Sequence, residues 1–278
     1  MGIIVPKDSE VQHLKGLHLY HHGMSQCSQR VRICLEEKQL PWVDHTINLM
    51  KGEHLEEAYG RINPNNVVPT LVHDGVVVIE STDIIQYIDE HFPGPSFTPD
   101  DPVQKERMII WLEQSNALKP AIRILSHEFL FKPVAKKSAK ELTQMVKTVS
   151  NVDLIEFHSK FSSKRGLDID TVRKSICEFE AVFKKMDLVL SEHRWLAGDS
   201  FSLADISWMA DVHRLLLMNF SVQRYPHLRE WVERLKLRPS YQRGLIAYEP
   251  ILIKYFFRLY FRFLSLRGNN LAQVAVPC

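Results

Sequence analysis

Two runs of β-branched residues joined by a tight turn are the feature that most constrains the fold of this chain. Residues 67–72 and 76–79 are rich in valine, and Asp74-Gly75 stands between them. Asp-Gly between two such runs is a strong signal for a two-residue hairpin turn. Pro69 lies near the start of the first run, and proline cannot donate a hydrogen bond inside a central strand. We therefore predict a β-hairpin whose first strand is entered at Pro69.

Two predicted helix starts flank this hairpin in the sequence. The stretch Ser25-Gln26-Cys27-Ser28 follows a strand-like run at 17–21 and precedes a helix-like run at 30–39. It places a hydroxyl, an amide and a thiol where unpaired backbone N–H groups and the helix dipole favour an anion. Glu80-Ser81 opens a second apolar-periodic segment at 82–91, again with polar side chains at its start. We expect both helix starts and the strand entered at Pro69 to converge on one sheet.

The length of 278 residues is enough for two domains. Strand signals end before a proline-rich stretch, after which apolar residues recur at helical spacing. We predict an α/β domain followed by an all-α domain, with a polar insertion between helices near 130–170. The predicted parts are an N-terminal extension at 1–16, an α/β domain at 17–92, a linker at 93–102, an all-helical domain at 103–248 and a C-terminal extension at 249–278.

Charge and cysteine usage argue against several classes of function. A formal net charge of +2, with no basic stripe interleaved with aromatic residues before the C-terminus, gives no reason to expect nucleic-acid binding. Four cysteines show neither metal-ligand spacing nor the density of a disulfide scaffold, so we expect no metal site and a reducing compartment. Residues 1–16 contain no apolar core of signal-peptide length. These observations predict a cytoplasmic protein.

The order and spacing of these motifs resemble the cytosolic glutathione transferases over residues 17–245. The resemblance implies a thioredoxin-like N-terminal half, an all-α C-terminal half, glutathione as co-substrate and a two-fold homodimer. It also implies a cis peptide bond before Pro69, with the backbone of Val68 pairing with the cysteinyl part of glutathione. By the same resemblance, Glu80 and Ser81 bind the γ-glutamyl carboxylate.

Ser25 and Cys27 are alternative carriers of the chemistry. The Ser25-Gln26 pair resembles the Ser-Gln of theta-class transferases, where both residues lie at the glutathione site and the serine hydroxyl stabilises the thiolate. The other reading of Ser25 is a simple helix cap. The pattern Met24-Ser25-x-Cys27-Ser28 resembles tetrachlorohydroquinone dehalogenases, in which the cysteine supports removal of halogen through a mixed disulfide with glutathione. A cysteine near a first helical turn is also common in packing, so the role of Cys27 stays open.

A third motif concerns the glycine end of glutathione. Lys51-Gly52-Glu53-His54 resembles a theta-type segment in which the histidine reaches the glycyl carboxylate. The alternative is a solvated loop histidine. Val67 stands where theta-class members usually have a lysine for the same carboxylate, which makes Lys51 a candidate substitute.

The chain also resembles the glutathione-dependent β-etherases of lignin breakdown, through Ile62-Asn63-Pro64, His73-Asp74-Gly75 and Glu80-Ser81-Thr82. Either subgroup resemblance implies attack of a glutathione thiolate on a hydrophobic, aromatic electrophile from which a stabilised anion leaves. The reaction would then be β-aryl ether cleavage or dehalogenation. We expect the substrate pocket to be lined by His22, Met24, Trp111 and Ser115.

Two later segments carry structural or alternative roles. Ser202-Leu203-Ala204-Asp205 has the pattern of a capping box and resembles the helix-capping motif of the family, so we assign it to the fold. Residues 250–267 are strongly apolar, with Lys254, Arg258 and Arg262 on one helix face. They predict a basic amphipathic helix that either packs on the protein or contacts a membrane surface. The alternative function is therefore a noncatalytic, transferase-like binding or membrane-associated protein that uses this helix.

Overall fold

The computed structural model describes residues 2–250, Tyr260, Leu264, Leu266 and residues 271–274. Its strands are β1 (Ile3–Ile4), β2 (Leu17–His21), β3 (Val43–Thr46), β4 (Thr70–His73) and β5 (Val76–Ile79). They form one mixed sheet in the order β1-β5-β4-β2-β3. β2 is parallel to β3, and the other neighbouring pairs are antiparallel.

The register of the central strands brings the three predicted motifs to one edge of the sheet. β4 and β5 form the predicted hairpin, and Asp74 and Gly75 take positive φ angles of 46° and 83° at its turn. Tyr20 lies opposite Thr70, and Thr70 lies opposite Ile79. The end of β2, the start of β4 and the end of β5 therefore share one edge. The segments that follow His21, precede Thr70 and follow Ile79 meet there.

The N-terminal residues belong to the sheet, which corrects the prediction of a separate extension at 1–16. Ile3 pairs with Val78, and Ile79 N–H donates to the carbonyl of Gly2 over 2.8 Å. A side chain at Gly2 would meet the carbonyl oxygen of Ile79 at 2.2 Å, so glycine permits this close approach. The physical reason for the pairing is that β5 otherwise presents a row of unpaired backbone groups.

Helices account for most of the remaining chain. They are α1 (Gln26–Glu37), α2 (Glu57–Ile62), α3 (Ser81–His91), α4 (Pro102–Ala117), α5 (Lys119–Ser126), α6 (Ala139–Thr148), α7 (Val152–Ser162), α8 (Ile169–Glu192), α9 (Leu203–Leu217), α10 (Pro226–Lys236) and α11 (Pro239–Gly244). The sheet with α1 to α3 has the thioredoxin-like arrangement, and a helical part follows it along the chain. The fold class expected from the sequence is therefore confirmed.

The chain divides into two compact units that are not continuous in sequence. The first combines the residues up to Pro93 with Pro133–Leu167, and the second combines Gly94–Lys132 with the described residues from Asp168 onward. The segment 133–167, called the insertion below, thus belongs with the thioredoxin-like domain. This differs from the prediction that assigned all of 103–248 to the helical domain.

Specific contacts explain where the insertion packs. Met145, Val149 and Leu154 form a buried cluster against Leu55 and Val67 of the first unit. Two hydrogen bonds add to this contact, because the side chains of Ser150 and Asn151 donate to the backbone carbonyls of Pro64 and Asn65 over 2.9 and 3.0 Å. The helical periodicity of the insertion is visible in the sequence, but the surface that its apolar face covers is not.

The capping motif in the second unit has the structural role predicted for it. The buried carboxylate of Asp205 accepts from the backbone N–H and the hydroxyl of Ser202, each over 3.0 Å. It also accepts from Leu196 N–H and from the indole N–H of Trp231, over 3.1 and 2.8 Å. Asp205 thereby ties the start of α9 to the preceding loop and to α10.

Candidate active site

Ser25 is the N-cap residue of α1 at the sheet edge described above. Its Oγ accepts a hydrogen bond of 3.3 Å from Ser28 N–H, and its own N–H donates to the carbonyl of His22 over 3.0 Å. The side chain is half-buried. Within the described part of the chain the hydroxyl donates to no acceptor, so its hydrogen is available to a ligand. Capping the helix and stabilising a thiolate are therefore compatible roles, since one uses the oxygen and the other the hydrogen.

Cys27 lies one residue inside α1 and is half-buried with a free thiol. Its Sγ donates to the side-chain oxygen of Gln26 over 3.3 Å, and Gln26 is itself buried. The thiol thus lies within the first turn, where backbone N–H groups favour a thiolate. Both readings of Cys27, chemical and structural, fit this position.

Arg32, on the buried face of α1, holds the loop that precedes Ser25. Its guanidinium donates to the carbonyls of His22 and Gly23 over 3.2 and 2.8 Å. It also lies 3.0 Å from Nδ1 of His21, whose Nε2 lies 3.0 Å from the carboxylate of Asp44. Burial and the charge of Arg32 lower the pKa of His21. A fully buried cation therefore fixes the loop between β2 and α1.

The start of α3 forms the second part of the site. Glu80 is exposed and adopts a positive φ of 65°, which a residue other than glycine rarely does. Ser81 follows it, is buried, and accepts a hydrogen bond of 2.9 Å from the guanidinium of Arg30. Arg30 is fully buried and lies on α1. The two helix starts are thus joined through the interior.

Arg30 and Arg32 are absent from the site residues that the sequence motifs predict. Charged residues in a helix are usually solvated, and these two are fully buried. The available signal was their place in an otherwise apolar run, residues 30–35, of a helix that must cover a sheet. A cation in such a run predicts a buried hydrogen-bonding role.

The peptide bond between Val68 and Pro69 is cis, as the family resemblance implies. The preceding carbonyl, that of Val67, accepts from the hydroxyl of Tyr59 and from the side-chain amide of Asn63, over 2.8 and 2.9 Å. Val68 is buried, and the strand β4 begins directly after Pro69. The loop before β4 is therefore tightly hydrogen-bonded at the sheet edge.

The two residues predicted for the glycine end differ in their surroundings. Lys51 is exposed, whereas His54 is buried in a short 3-10 turn at Glu53–Leu55. The backbone carbonyl of His54 accepts from the side chain of Asn66 over 2.8 Å, which joins this turn to the loop before Pro69. Burial and the charges of Lys137 and His22 lower the pKa of His54 to about 4. His54 is therefore a neutral, buried histidine and not the solvated loop histidine of the alternative reading.

The residues predicted to line the substrate pocket fall into two groups. His22 is half-buried, with Nδ1 3.0 Å from the carbonyl of Ile47, and Met24 is buried in the loop before Ser25. Trp111 and Ser115, on α4, belong to the core of the second unit. The Trp111 carbonyl accepts from the indole of Trp208 over 3.0 Å, and the Ser115 hydroxyl donates to Asp211 over 2.6 Å.

The pocket role of Trp111 and Ser115 stays a prediction, beside the core role that their contacts within the second unit indicate. Aromatic and small residues at helical spacing give the same sequence signal in both cases. The polar groups of Trp111 and Ser115 form hydrogen bonds with α9 of the same unit, and both side chains are buried.

Among the described residues, no group of three or more histidine, cysteine, aspartate or glutamate side chains could hold a metal ion. No helix in that part of the chain is long and apolar enough to span a membrane. The predicted amphipathic segment at 250–267 lies outside the described residues, except for Pro250, Tyr260, Leu264 and Leu266.

Comparison with known proteins agrees with this geometry. Residues 19–96 match the N-terminal domain of glutathione S-transferases, and residues 175–234 match their C-terminal domain. The chain is 23% identical to the glutathione S-transferase TCHQD of Arabidopsis thaliana, over 84% of this chain and 90% of the relative. It is 25% identical to a tetrachloro-p-hydroquinone reductive dehalogenase of Sphingobium chlorophenolicum, over 82% of this chain and 95% of the relative.

A solved structure extends the comparison to the whole fold. The β-etherase LigF of Sphingobium sp. strain SYK-6 aligns with a TM-score of 0.74 and 25% identity, over 82% of this chain and 98% of LigF. Both domains of one family follow each other along the chain, and their folds match in the same order. The chain therefore belongs to the glutathione S-transferase superfamily.

Proposed function

We propose that this protein is a glutathione transferase of the serine type, in which Ser25 activates the glutathione thiol for attack on a hydrophobic aromatic electrophile. The observation that carries the proposal is the state of Ser25. Its oxygen caps α1, while its hydrogen has no acceptor within the described residues. A half-buried hydroxyl at a helix start is suited to donate to an anion.

The sheet edge supplies the remaining contacts to glutathione. The register places the loop before Ser25, the loop before Pro69 and the start of α3 at one edge. In this assignment the backbone of Val68 pairs with the cysteinyl part, while Glu80 and Ser81 bind the γ-glutamyl end. Gln26, at the start of α1, completes the set of residues assigned to glutathione. His54, at the glycine end, is connected to the loop before Pro69 through Asn66.

Activation of the thiol requires only a moderate interaction energy. A thiol with a pKa of about 8.5 is mostly protonated at neutral pH, and lowering that value by two units takes about 2.7 kcal/mol. A charge-assisted hydrogen bond and the helix dipole together supply energies of this order. The thiolate then forms a bond to the electrophilic carbon while a phenolate or halide leaves with the bonding pair. The thiol proton passes to solvent.

The relatives support an aromatic electrophile, because one is named as a reductive dehalogenase and another as a β-etherase. His22 and Met24, in the loop held by Arg32, are the candidate pocket residues on this side of the fold. A homodimer and a cytoplasmic location follow from the family resemblance and complete the proposal.

A second candidate, reductive dehalogenation, is favoured by the half-buried free thiol of Cys27. Here glutathione first displaces a halide from the ring. The Cys27 thiolate then attacks the sulfur of the conjugate, so that a mixed disulfide forms and the ring carbon leaves with the bonding pair and takes a proton. A second glutathione thiolate releases Cys27 and gives glutathione disulfide. Intact mass during turnover tests this route, since it requires a Cys27 adduct with glutathione.

Thiolate absorbance followed against pH, with saturating glutathione, tests the role of Ser25. Wild type and Ser25→Thr keep a hydroxyl and should show a lowered thiol pKa. Ser25→Gly lacks the hydroxyl but costs the cap only a few tenths of a kcal/mol, so it should bind glutathione with a thiol pKa near the free value. An unchanged thiol pKa in Ser25→Gly would overturn the assignment. Cys27→Ala distinguishes the two candidates, because only the dehalogenase route loses turnover with it.

A further inference from the structure

The turn that contains His54 holds a buried ring nitrogen that makes no hydrogen bond within the described residues. His54 is 7% exposed, and its Nδ1 is buried with no hydrogen-bond partner within the described residues. Buried polar atoms in folded proteins are paired in the great majority of cases. An exception in the wall of a candidate site indicates a position that a ligand fills.

The position of His54 connects it to the candidate active site from two directions. Its carbonyl accepts from Asn66, two residues before Val68. On the other side it interacts electrostatically with His22, in the loop that precedes Ser25. His54 therefore lies beside the site, and the insertion packs against the same turn through Leu55.

The insertion contributes Lys137, whose positive charge acts on His54. Lys137 is half-buried, and its backbone N–H donates to the hydroxyl of Ser162 over 3.0 Å, which fixes the segment before α6 to α7. Its side chain forms no ion pair within the described residues. Glu141, the carboxylate whose charge acts on Lys137, accepts from Ser138 N–H and Oγ over 2.7 and 2.6 Å in the cap of α6.

The two groups are unfavourable neighbours without a ligand. Burial lowers the pKa of Lys137, and the charge of Lys137 contributes to the low pKa of His54. An anion bound between them opposes both shifts, because an opposite charge favours the charged form of each group. A half-buried ammonium beside an unpaired imidazole nitrogen is thus the chemistry of a carboxylate site.

We propose that Lys137, carried by the insertion, binds the glycyl carboxylate of glutathione together with His54. This inference rests on the proposed function, because a tripeptide with its thiol at Ser25 and its γ-glutamyl end at Glu80 and Ser81 has one remaining carboxylate. Lys137 takes the part that the sequence analysis assigned to Lys51, which is exposed. It also supplies the cation that is missing at Val67. The insertion is then a specificity element for the C-terminal end of the peptide.

Calorimetric titration with two ligands tests this assignment. Glutathione and its glycyl monoethyl ester differ only in the carboxylate at issue. Wild type should bind glutathione at least about tenfold more tightly than the ester, as expected for a charge-assisted contact. Lys137→Gln should lose most of this preference and keep the affinity for the ester. Lys136→Gln is the matched control, because it removes the same charge from the neighbouring, exposed lysine and should behave as wild type.

The outcomes separate this inference from the proposal on which it rests. A wild-type ratio of the two affinities in Lys137→Gln would overturn the role of Lys137 and leave the transferase function standing. Failure of the wild-type protein to bind either ligand would overturn the transferase function and this assignment with it. Retained ester binding in Lys137→Gln shows that the variant is folded.

Discussion

The guanidinium of Arg30 donates a hydrogen bond of 2.9 Å to the hydroxyl of Ser81, and both side chains are buried. The bond joins the helix that begins after Ser25 to the helix that begins at Ser81. The two helix starts proposed to bind opposite parts of glutathione are therefore fixed to each other from inside the domain, independently of any ligand.

A double-mutant cycle measures this link. Arg30→Met and Ser81→Ala should each lower the free energy of unfolding, and their effects should be non-additive by about 1.5–3 kcal/mol, the range for a hydrogen bond to a charged group. Urea unfolding gives the values. Arg30→Met combined with Ser126→Ala, a buried serine of the other unit, should be additive within about 0.5 kcal/mol. Additivity in the first pair would contradict the link.

Arg32 is expected to control the chemistry through the loop that it holds. In Arg32→Met the carbonyls of His22 and Gly23 lose their donor, so the loop before Ser25 is released. The thiol pKa of bound glutathione should rise, and stability should fall by about 2–4 kcal/mol. Arg214→Met removes an equally buried arginine from the helical unit and should lower stability without moving the thiol pKa. Equal thiol pKa values in the two variants would exclude the positioning role.

His54 makes stability depend on pH in a defined window. Its pKa is about 4 in the folded protein against 6.5 for an unperturbed histidine, so the unfolded state binds the proton more tightly. Stability should therefore rise as pH increases from 4 to 6.5, by up to about 3 kcal/mol, and this contribution is lost on acidification. Buried His21, whose pKa is also lowered, contributes with the same sign. Subtracting the profile of His54→Gln from that of wild type isolates the histidine, and a flat difference would refute the assignment.

Glu80 has an unfavourable backbone conformation at the start of α3. Glu80→Gly should relieve the positive φ of 65° and raise stability by about 1 kcal/mol, while glutathione binding weakens because the carboxylate is lost. Gln39→Gly offers a control, because Gln39 is exposed with a φ of 54° away from the site. It should gain stability and leave affinity unchanged. Thermal unfolding and glutathione titration of both variants provide the comparison, and undiminished affinity in Glu80→Gly would remove Glu80 from the site.

Ser115 provides a test between the predicted pocket role and a core role. Its hydroxyl donates to Asp211 and accepts from Ser207 over 2.9 Å. Ser115→Ala leaves these buried groups short of a partner and should cost about 1–3 kcal/mol of stability. The KM for an aromatic electrophile should not change. A changed KM with unchanged stability would contradict the core role and favour the pocket role of Ser115.

The sequence was sufficient for features that depend on local signals. Val-Pro at a strand start, Asp-Gly at a turn and a serine at a helix start have the same meaning in most folds. As they predict, β4 begins directly after Pro69, β4 and β5 are joined by a turn at Asp74-Gly75, and α1 begins directly after Ser25. The family resemblance added the cis bond before Pro69. These residues act mainly through their own backbone.

Features that depend on distant partners could not be read from the sequence. The buried guanidinium groups of Arg30 and Arg32 donate hydrogen bonds to Ser81 and to the loop at His22, which lie 51 and ten residues away in sequence. Trp111 has helical spacing that suits a pocket and a core equally, and its backbone contact with Trp208, 97 residues later, is not visible in the sequence. The docking of the insertion depends on Leu55 and Val67, about eighty residues or more earlier in the chain.

The insertion also has a consequence for how the protein is made. Because residues 133–167 complete the first unit, that unit cannot finish packing when its last strand has left the ribosome. Leu55 and Val67 of this unit stay uncovered until α7 has been synthesised. During this interval the nascent chain exposes apolar surface of the kind that favours aggregation of folding intermediates.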